Sequence, residues 1–366
     1  MKTTAALLRD TEAPLTIEEI EVGELQENEI LVRIKGVGIC HTDVSAAHGV
    51  IPIPLPGVLG HEGSGIIEAV ADGVTEFAVG DHVALSFDSC GECDLCEQHR
   101  PAYCEVFGAK NYFGERMDGT TTLSQDDEPV YGSWFGQSSF AGYSIASTQN
   151  AVKLDKDLPI ELMGPLGCGL QTGAGSVINV LRAKEGQSIA VFGAGAVGLG
   201  AVMAAKALGL KTILIFDLNA GRLELAKELG ATHAFNPAEH KDLIWDVMQV
   251  VAPGVDFAFD AVGLGSVIRQ ALELLRTPGH CASVGFQGLE NEITIDQGHL
   301  LLGRTLSGVT EGDAYPKTLI PQLIQWYREG KFPFDRLIKT YKLQDINQAI
   351  ADAESGDVIK PVIVFD

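Results

Sequence analysis

Positive charge is scarce in this chain of 366 residues: 26 Lys and Arg stand against 49 Asp and Glu, leaving a formal charge of −23. A nucleic-acid footprint needs a basic face, so that class of partner is excluded, and anionic membrane surfaces are disfavoured. Long apolar runs are missing too. The most apolar stretch, Ile189 to Ala205, is interrupted by four glycines and reads as strand, turn and helix, not as a membrane span. The opening M-K-T-T-A-A-L-L-R-D has neither the sustained apolar region nor the cleavage pattern of a signal peptide, so a cytoplasmic setting is expected. An even cysteine count is also lacking. There are seven, four of them between Cys90 and Cys104, which is a metal pattern and not the disulfide framework of a secreted protein.

Glycine, by contrast, is abundant at 42 residues, and it gathers around side chains that carry chemistry. From Gly36 to Gly65 the chain reads G-V-G-I-C-H-T-D and then G-H-E-G-S-G, placing Cys40, Thr42, Asp43, His61 and Glu62 in one short span. A catalytic zinc site has three protein ligands and keeps one position open for substrate. Cys40 and His61 supply two of these, and Cys168, in G-P-L-G-C-G-L-Q-T-G, is the best third. Cys90, Cys93, Cys96 and Cys104 form C-x2-C-x2-C-x7-C, in which four thiolates can close a tetrahedral shell as a structural zinc site. An iron–sulfur cluster is the rival, although that motif usually continues x3-C-P. The lobe around these cysteines is polar and has little core, so a metal would hold its shape.

Along the chain, residues 1 to about 90 read as short strands with turns at Asp72-Gly73 and Gly80-Asp81, the pattern of a small barrel or sandwich. The stretch 105–150 is aromatic, and Trp134 and Phe135 follow a glycine-rich turn where they could line a pocket. From Pro159 to Leu181 the pattern predicts a helix. Then S-I-A-V-F predicts a buried strand, followed by G-A-G-A-V-G at Gly193, Gly195 and Gly198, a helix, and the strand T-I-L-I-F ending at Asp217. This is the dinucleotide fingerprint in context: tight turn, close approach of the pyrophosphate, helix packed on strand, and an acid for the ribose. A carboxylate at Asp217 repels a 2′-phosphate and favours NAD, and Arg222 could stack near the adenosine. Strands and helices go on alternating to about Gly308, which implies a parallel doubly wound sheet. Ligands of such sheets bind at the carboxyl edge, where Val262-Gly263 and Val284-Gly285 lie. Cys281 reads as core. A helix from Pro316 to Glu329 and the strand K-P-V-I-V-F are expected to return to the first region.

Taken in order, G-H-E-G-S-G, the four-cysteine lobe, G-C-G-L-Q-T-G and G-A-G-A-V-G resemble the zinc-dependent medium-chain alcohol dehydrogenases over the whole chain, most of all the bacterial aryl-alcohol (benzyl alcohol) dehydrogenases and their relatives acting on allylic terpene alcohols. The resemblance implies an α/β protein. A GroES-like β-barrel catalytic domain would take residues 1–168 and 310–366, with a structural-zinc lobe at 88–106, and a Rossmann NAD-binding domain 169–309. It implies two zinc ions per chain, the catalytic one held by Cys40, His61 and Cys168 with Glu62 as an occasional ligand. Asp43 would orient the histidine, and Thr42 would take the alcohol proton. Thr172 would pack on the nicotinamide, Val197 would be among the cofactor-binding residues, and His41 and Lys360 would carry cations for the pyrophosphate. Phe87, Trp134 and Phe135 would line the substrate pocket. Ser45 stands where many relatives have a proton-relay histidine, so Ser45 with water, or His48, would complete the relay. The expected reaction is reversible NAD-dependent oxidation of a primary alcohol to an aldehyde, of benzyl alcohol type. Geraniol or perillyl-type alcohols and the glutathione–formaldehyde adduct are the rival substrates, and a non-catalytic NAD-binding protein is the rival class. A homodimer or homotetramer is expected.

Overall fold

The computed structural model describes residues 1–366 as two compact units. The first comprises Met1–Cys168, Tyr315–Pro321 and Asp335–Asp366; the second comprises Gly169–Ala314 and Gln322–Phe334. The expectation placed all of 310–366 in the first unit, whereas residues 310–314 and Gln322–Phe334 group with the second. Amphipathic spacing shows that a helix has an apolar face but not which body that face meets.

The first unit is built on two sheets. In one, Gly57–Val58, Lys2–Leu8, Thr16–Val22, Leu123–Gln125 and Glu128–Val130 lie side by side and antiparallel. The other is organised by Glu29–Gly38, whose burial alternates with the Ile30, Val32, Ile34 pattern seen in the sequence. One edge of that strand pairs with Glu62–Val70; the other pairs first with Tyr143–Ser147 and then with Lys360–Val364. Gly38 thus lies opposite Glu62 on one side and Val362 on the other, so the end of the chain is brought beside Glu62. Both sheets contribute to one apolar core that includes Leu7, Ile34, Val58, Leu85, Phe140 and Ile363.

Two departures from the sequence reading matter for the site. The all-strand reading of the first ninety residues missed the helix His41–Ala47. Its N-cap is Cys40, and Asp43 at the third helical position closes a capping box, an arrangement normally signalled by Ser or Thr. Pro159–Leu181, read as one helix, is broken. Short 3-10 turns at Ile160–Leu162 and Gly164–Gly167 precede the helix Gly169–Gly175 and a π-turn at Ser176–Val180. Close packing is the physical reason. A Cβ on Gly164 would fall 2.0 Å from the carbonyl oxygen of Glu62, and one on Gly167 would fall 1.9 Å from that of Leu85. The glycines press this segment onto two strands, and Cys168 follows directly.

In the second unit six parallel strands stand in the order His233–Phe235, Thr212–Phe216, Ser188–Phe192, Val255–Asp260, Leu275–Ser283, Thr305–Gly308. The first strand in sequence lies in the middle, so the order reverses beside it, as in doubly wound dinucleotide-binding sheets. Phe192, Phe216 and Phe235 stack across three neighbouring strands at 4.5 and 5.3 Å. Cys281 is fully buried core, as read. No helix of the chain is long and apolar enough to cross a membrane.

Candidate active site

Three parts of the first unit meet at its main polar cluster. The capping turn supplies Cys40, the loop entering Glu62–Val70 supplies His61 and Glu62, and the glycine-pressed segment supplies Cys168. The candidate ligand atoms of these four residues all lie within 4.8 Å of one another, and His61 Nε2 is 3.3 Å from Cys168 Sγ. His61, Glu62 and Cys168 are buried. Behind the imidazole, Asp43 Oδ1 accepts from His61 Nδ1 at 2.8 Å and from the Gly60 N–H at 3.1 Å, while Oδ2 accepts from the Cys40 N–H at 3.1 Å. The aspartate therefore both caps the helix and fixes the histidine with Nε2 turned toward the sulfurs. Thr42, half-buried at the second position of the helix, has its Oγ1 3.8 Å from Cys40 Sγ.

The electrostatics fit a divalent cation. A hydrogen bond with Cys168 and the field of His61 hold the Cys40 thiol well below its ordinary range in spite of burial. Burial opposes a charge on His61, yet Asp43 and Cys40 outweigh it and raise its pKa. Burial also pushes the Glu62 carboxyl up, against the pull of Lys360. Soft anionic donors and an imidazole, crowded together out of water, are the donor set that zinc takes.

Lys360 is used differently from expectation. Its ammonium donates to both carboxylate oxygens of Glu62 at 2.9 Å and to the Ile39 carbonyl at 3.1 Å, and the two side chains are 3% and 0% exposed. Where the resemblance implied a cation for the pyrophosphate, the structure shows this lysine in a buried ion pair. The register of Lys360–Val364 against Glu29–Gly38 causes this, and Gly38 makes room for it: a Cβ there would meet Glu62 Oε2 at 2.0 Å. Both Glu62 oxygens thus face a cation, so the occasional-ligand reading of Glu62 competes with a salt bridge. His41 is exposed at the first position of its helix.

The aromatics expected to line the pocket are all buried. Trp134 and Phe135 are 2% and 3% exposed, Phe135 stacks on the His61 ring at 4.3 Å, and the Trp134 indole N–H donates to Asp43 Oδ1 at 3.0 Å. Phe87 is buried against Phe107 at 5.7 Å. Of the two relay candidates, Ser45 is buried in the helix, and His48 is at the surface with Nε2 3.0 Å from Glu354. Sequence reasoning missed Gln137. Fully buried, it donates to the carbonyls of His61 and Ser86 and accepts from Gly63 N–H and Ser139 Oγ, so it ties the histidine loop to the next strand. Its signal was a lone amide among aromatics and small residues.

Cys90, Cys93, Cys96 and Cys104 form the second cluster, again with sulfurs within 4.8 Å of one another. Cys90 N–H points at Cys104 Sγ and Cys93 N–H at Cys90 Sγ, both at 3.3 Å, so the backbone solvates the sulfurs as metal-bound thiolates require. Backbone hydrogen bonding draws the Cys93 thiol down to about 6, whereas burial pushes Cys96 up to about 12. All seven cysteines are free of disulfides.

In the second unit the fingerprint residues gather at the carboxyl ends of the central strands. Gly193 turns with φ of 92° after Ser188–Phe192. Gly195 caps the helix Ala196–Ala207, and a Cβ added to it would meet nothing within 4 Å, leaving open space for a ligand. A Cβ on Gly198 would fall 1.8 Å from the Gly193 carbonyl, the close helix–strand approach expected of the third glycine. Val197 presses its carbonyl against Gly173 of the preceding helix. Asp217 accepts from the Ala194 and Asn219 N–H groups at 2.7 and 2.8 Å, which aims its carboxylate at the loop. Arg222 lies half-buried in the first turn of the next helix, its backbone N–H capped by Asn219. Val262 and Val284 follow neighbouring strands, both half-buried. Asp260, unforeseen, is fully buried and braces this loop by accepting from the N–H groups of Val262 and Gly263 and from Ser283 Oγ. Thr172 Oγ1 donates to Glu311 at 3.4 Å.

Residues 26–156 match the family model of the alcohol dehydrogenase GroES-like domain, and residues 196–329 match that of zinc-binding dehydrogenases. Over 363 residues, 99% of this chain and 97% of the relative, the sequence is 44% identical to the geraniol dehydrogenase of Castellaniella defragrans. Among solved structures, an alcohol dehydrogenase zinc-binding domain protein from Burkholderia ambifaria superimposes with a TM-score of 0.98 at 45% identity, covering 100% of this chain and 99% of that one. The benzyl alcohol dehydrogenase of Acinetobacter calcoaceticus does so with a TM-score of 0.96 at 42% identity, covering 100% of both.

Proposed function

The chain belongs to the zinc-binding medium-chain alcohol dehydrogenases, and on that premise we propose that it oxidises primary alcohols whose hydroxymethyl carbon is attached to an unsaturated carbon, benzyl alcohol type ahead of geraniol type, to aldehydes with NAD. The observation that carries this reading is the convergence of Cys40, His61 and Cys168 on one point, with Asp43 behind the histidine and Thr42 beside Cys40. These three residues would hold the catalytic zinc, which when bound supplies Lewis acidity toward an alcohol oxygen. Thr42 Oγ1 accepts the alcohol proton and passes it on. Gly193, Gly195 and Gly198 bind the cofactor diphosphate at the helix N-terminus, and Asp217 holds the ribose hydroxyls and repels a 2′-phosphate, which supports NAD over NADP. The four-cysteine lobe would take a second, structural zinc.

The substrate class is supported by two relatives named for geraniol and for benzyl alcohol, which share a CH2OH on an sp2 carbon. The aromatic residues beside His61 suit a flat, conjugated alcohol. A homodimer or homotetramer in the cytoplasm completes the reading. The oligomer is supported by the unpaired edge strand Thr305–Gly308 and by the exposed Leu289, Leu300, Leu301 and Leu302 that precede it. The test is kcat/KM for benzyl alcohol, geraniol, a saturated alcohol of equal length and the glutathione–formaldehyde adduct, each with NAD and NADP. Benzyl alcohol with NAD is expected to lead. Preference for the saturated alcohol or the adduct overturns the substrate assignment, and equal use of NADP overturns the role of Asp217.

A further inference from the structure

We propose that Trp134 is a positioning residue for the metal ligand His61, acting through its indole N–H on Asp43; this rests on the assignment of His61 as a zinc ligand. Asp43 Oδ1 receives two side-chain contacts, His61 Nδ1 at 2.8 Å and Trp134 Nε1 at 3.0 Å, together with the Gly60 N–H at 3.1 Å. The backbone donors Gly60 and Cys40 hold the carboxylate in the capping turn. The indole adds a donor from a different part of the chain, ninety-one residues away, and so ties the capping turn to the segment that carries both rings.

That segment is built to be rigid. Phe135 has a φ of 51°, the left-handed region that a bulky side chain rarely adopts, and Ser138 has the same value. Local bonds hold this conformation. Trp134 N–H donates to Ser138 Oγ, Ser138 Oγ to the Val58 carbonyl, and Asn150 Nδ2 to the carbonyls of Phe135 and Gly136. Strain kept in place by such a net at a candidate site points to a positional demand. The demand is visible: the backbone turn sets the Phe135 ring flat on His61, interplanar angle 23°, and the Trp134 ring edge-on to it at 79°. The imidazole is thereby fixed on its face by Phe135 and at Nδ1 by an aspartate that Trp134 keeps from rotating. Nε2 remains directed at Cys168 Sγ. A phenylalanine at 134 would fill nearly the same space but offer Asp43 no donor.

The experiment uses the full-length zinc-loaded protein. Zinc affinity is measured by chelator competition, with the four-cysteine site as internal reference, in wild type, Trp134→Phe, Asp43→Asn and the double variant; steady-state kinetics with benzyl alcohol accompany each. Loss of an outer-shell partner lowers metal affinity or activity by about 10–100-fold. Trp134→Phe is expected at the low end, about tenfold in zinc affinity, with kcat reduced and KM little changed. In the Asp43→Asn background the same change should add less than it does in wild type, because the amide oxygen is a weaker acceptor for the indole than the carboxylate. Benzothienylalanine at position 134, which keeps the ring shape and lacks the N–H, should reproduce the loss if the phenylalanine variant fails to fold. Wild-type zinc affinity in the N–H-deficient variants overturns the proposal, as does a raised KM with unchanged kcat, which would make the indole a substrate contact. If wild type itself holds no zinc at Cys40, His61 and Cys168, the functional reading fails instead.

Discussion

Replacing Lys360 by Met, which keeps much of the chain length and removes the charge, leaves the Glu62 carboxylate buried without its ammonium partner. It has lost two hydrogen bonds of 2.9 Å, and the Ile39 carbonyl has lost its donor at 3.1 Å. Both side chains are out of water, so solvent cannot screen the loss. Removing one partner of a buried pair costs about 3–5 kcal/mol, because the surviving charge is uncompensated. For a body of 150–250 residues each kcal/mol lowers Tm by about 2–4 °C, so a drop of about 6–20 °C is expected in the transition of the first unit. Calorimetry of Lys360→Met, Glu62→Gln and the double variant reads this directly. The double variant should regain more than half of the loss, since neither charge is then buried alone. A single variant within about 1 kcal/mol of wild type would refute the buried-pair account.

Gly195 and Gly198 should part company on substitution. Gly195→Ala meets open space and should leave Tm unchanged while weakening NADH binding at least tenfold, whereas Gly198→Ala drives a Cβ onto the Gly193 carbonyl and should destabilise the second unit; fluorescence titration and calorimetry check both. Hydrogen bonds from Arg9, Thr16 and Gln125 pull the Glu18 carboxyl down to about 2. A lowered pKa stabilises the fold above the unfolded value and loses that contribution as pH falls through the folded one, so wild type should lose stability between about pH 4.5 and 2. Glu18→Gln should flatten that slope in acid urea titrations, and an unchanged slope would count against the network.

What was legible in the sequence was whatever a residue does within its own segment. The glycine fingerprint declared itself because its three roles are local, and the open space at Gly195 and the 1.8 Å approach at Gly198 match them. The four cysteines of the lobe lie so close in sequence that spacing alone brings them together. What escaped depends on partners delivered from elsewhere. Lys360 meets Glu62 because one strand register sets Val362 opposite Gly38, which lies opposite Glu62, and no local pattern encodes a register between residues three hundred apart. The Trp134 indole reaches Asp43, and Gln137 reaches the His61 carbonyl, from a turn with left-handed backbone at Phe135 and Ser138. The helix at His41–Ala47 was hidden because a cysteine takes the capping place usually signalled by serine or threonine. Pro159–Leu181 has the apolar spacing of a helix, but its glycines serve close approach to strands, and that contact outweighs propensity.

The central claim is that Cys40, His61 and Cys168 together hold the zinc at which the alcohol reacts. Zinc per chain, measured by elemental mass spectrometry on wild type and on Cys40→Ala/His61→Ala, tests it most directly when turnover is followed in the same samples. Two zinc ions falling to one, with alcohol oxidation abolished and NADH binding retained, is the predicted result. Two zinc ions or persistent turnover in the double variant would contradict it.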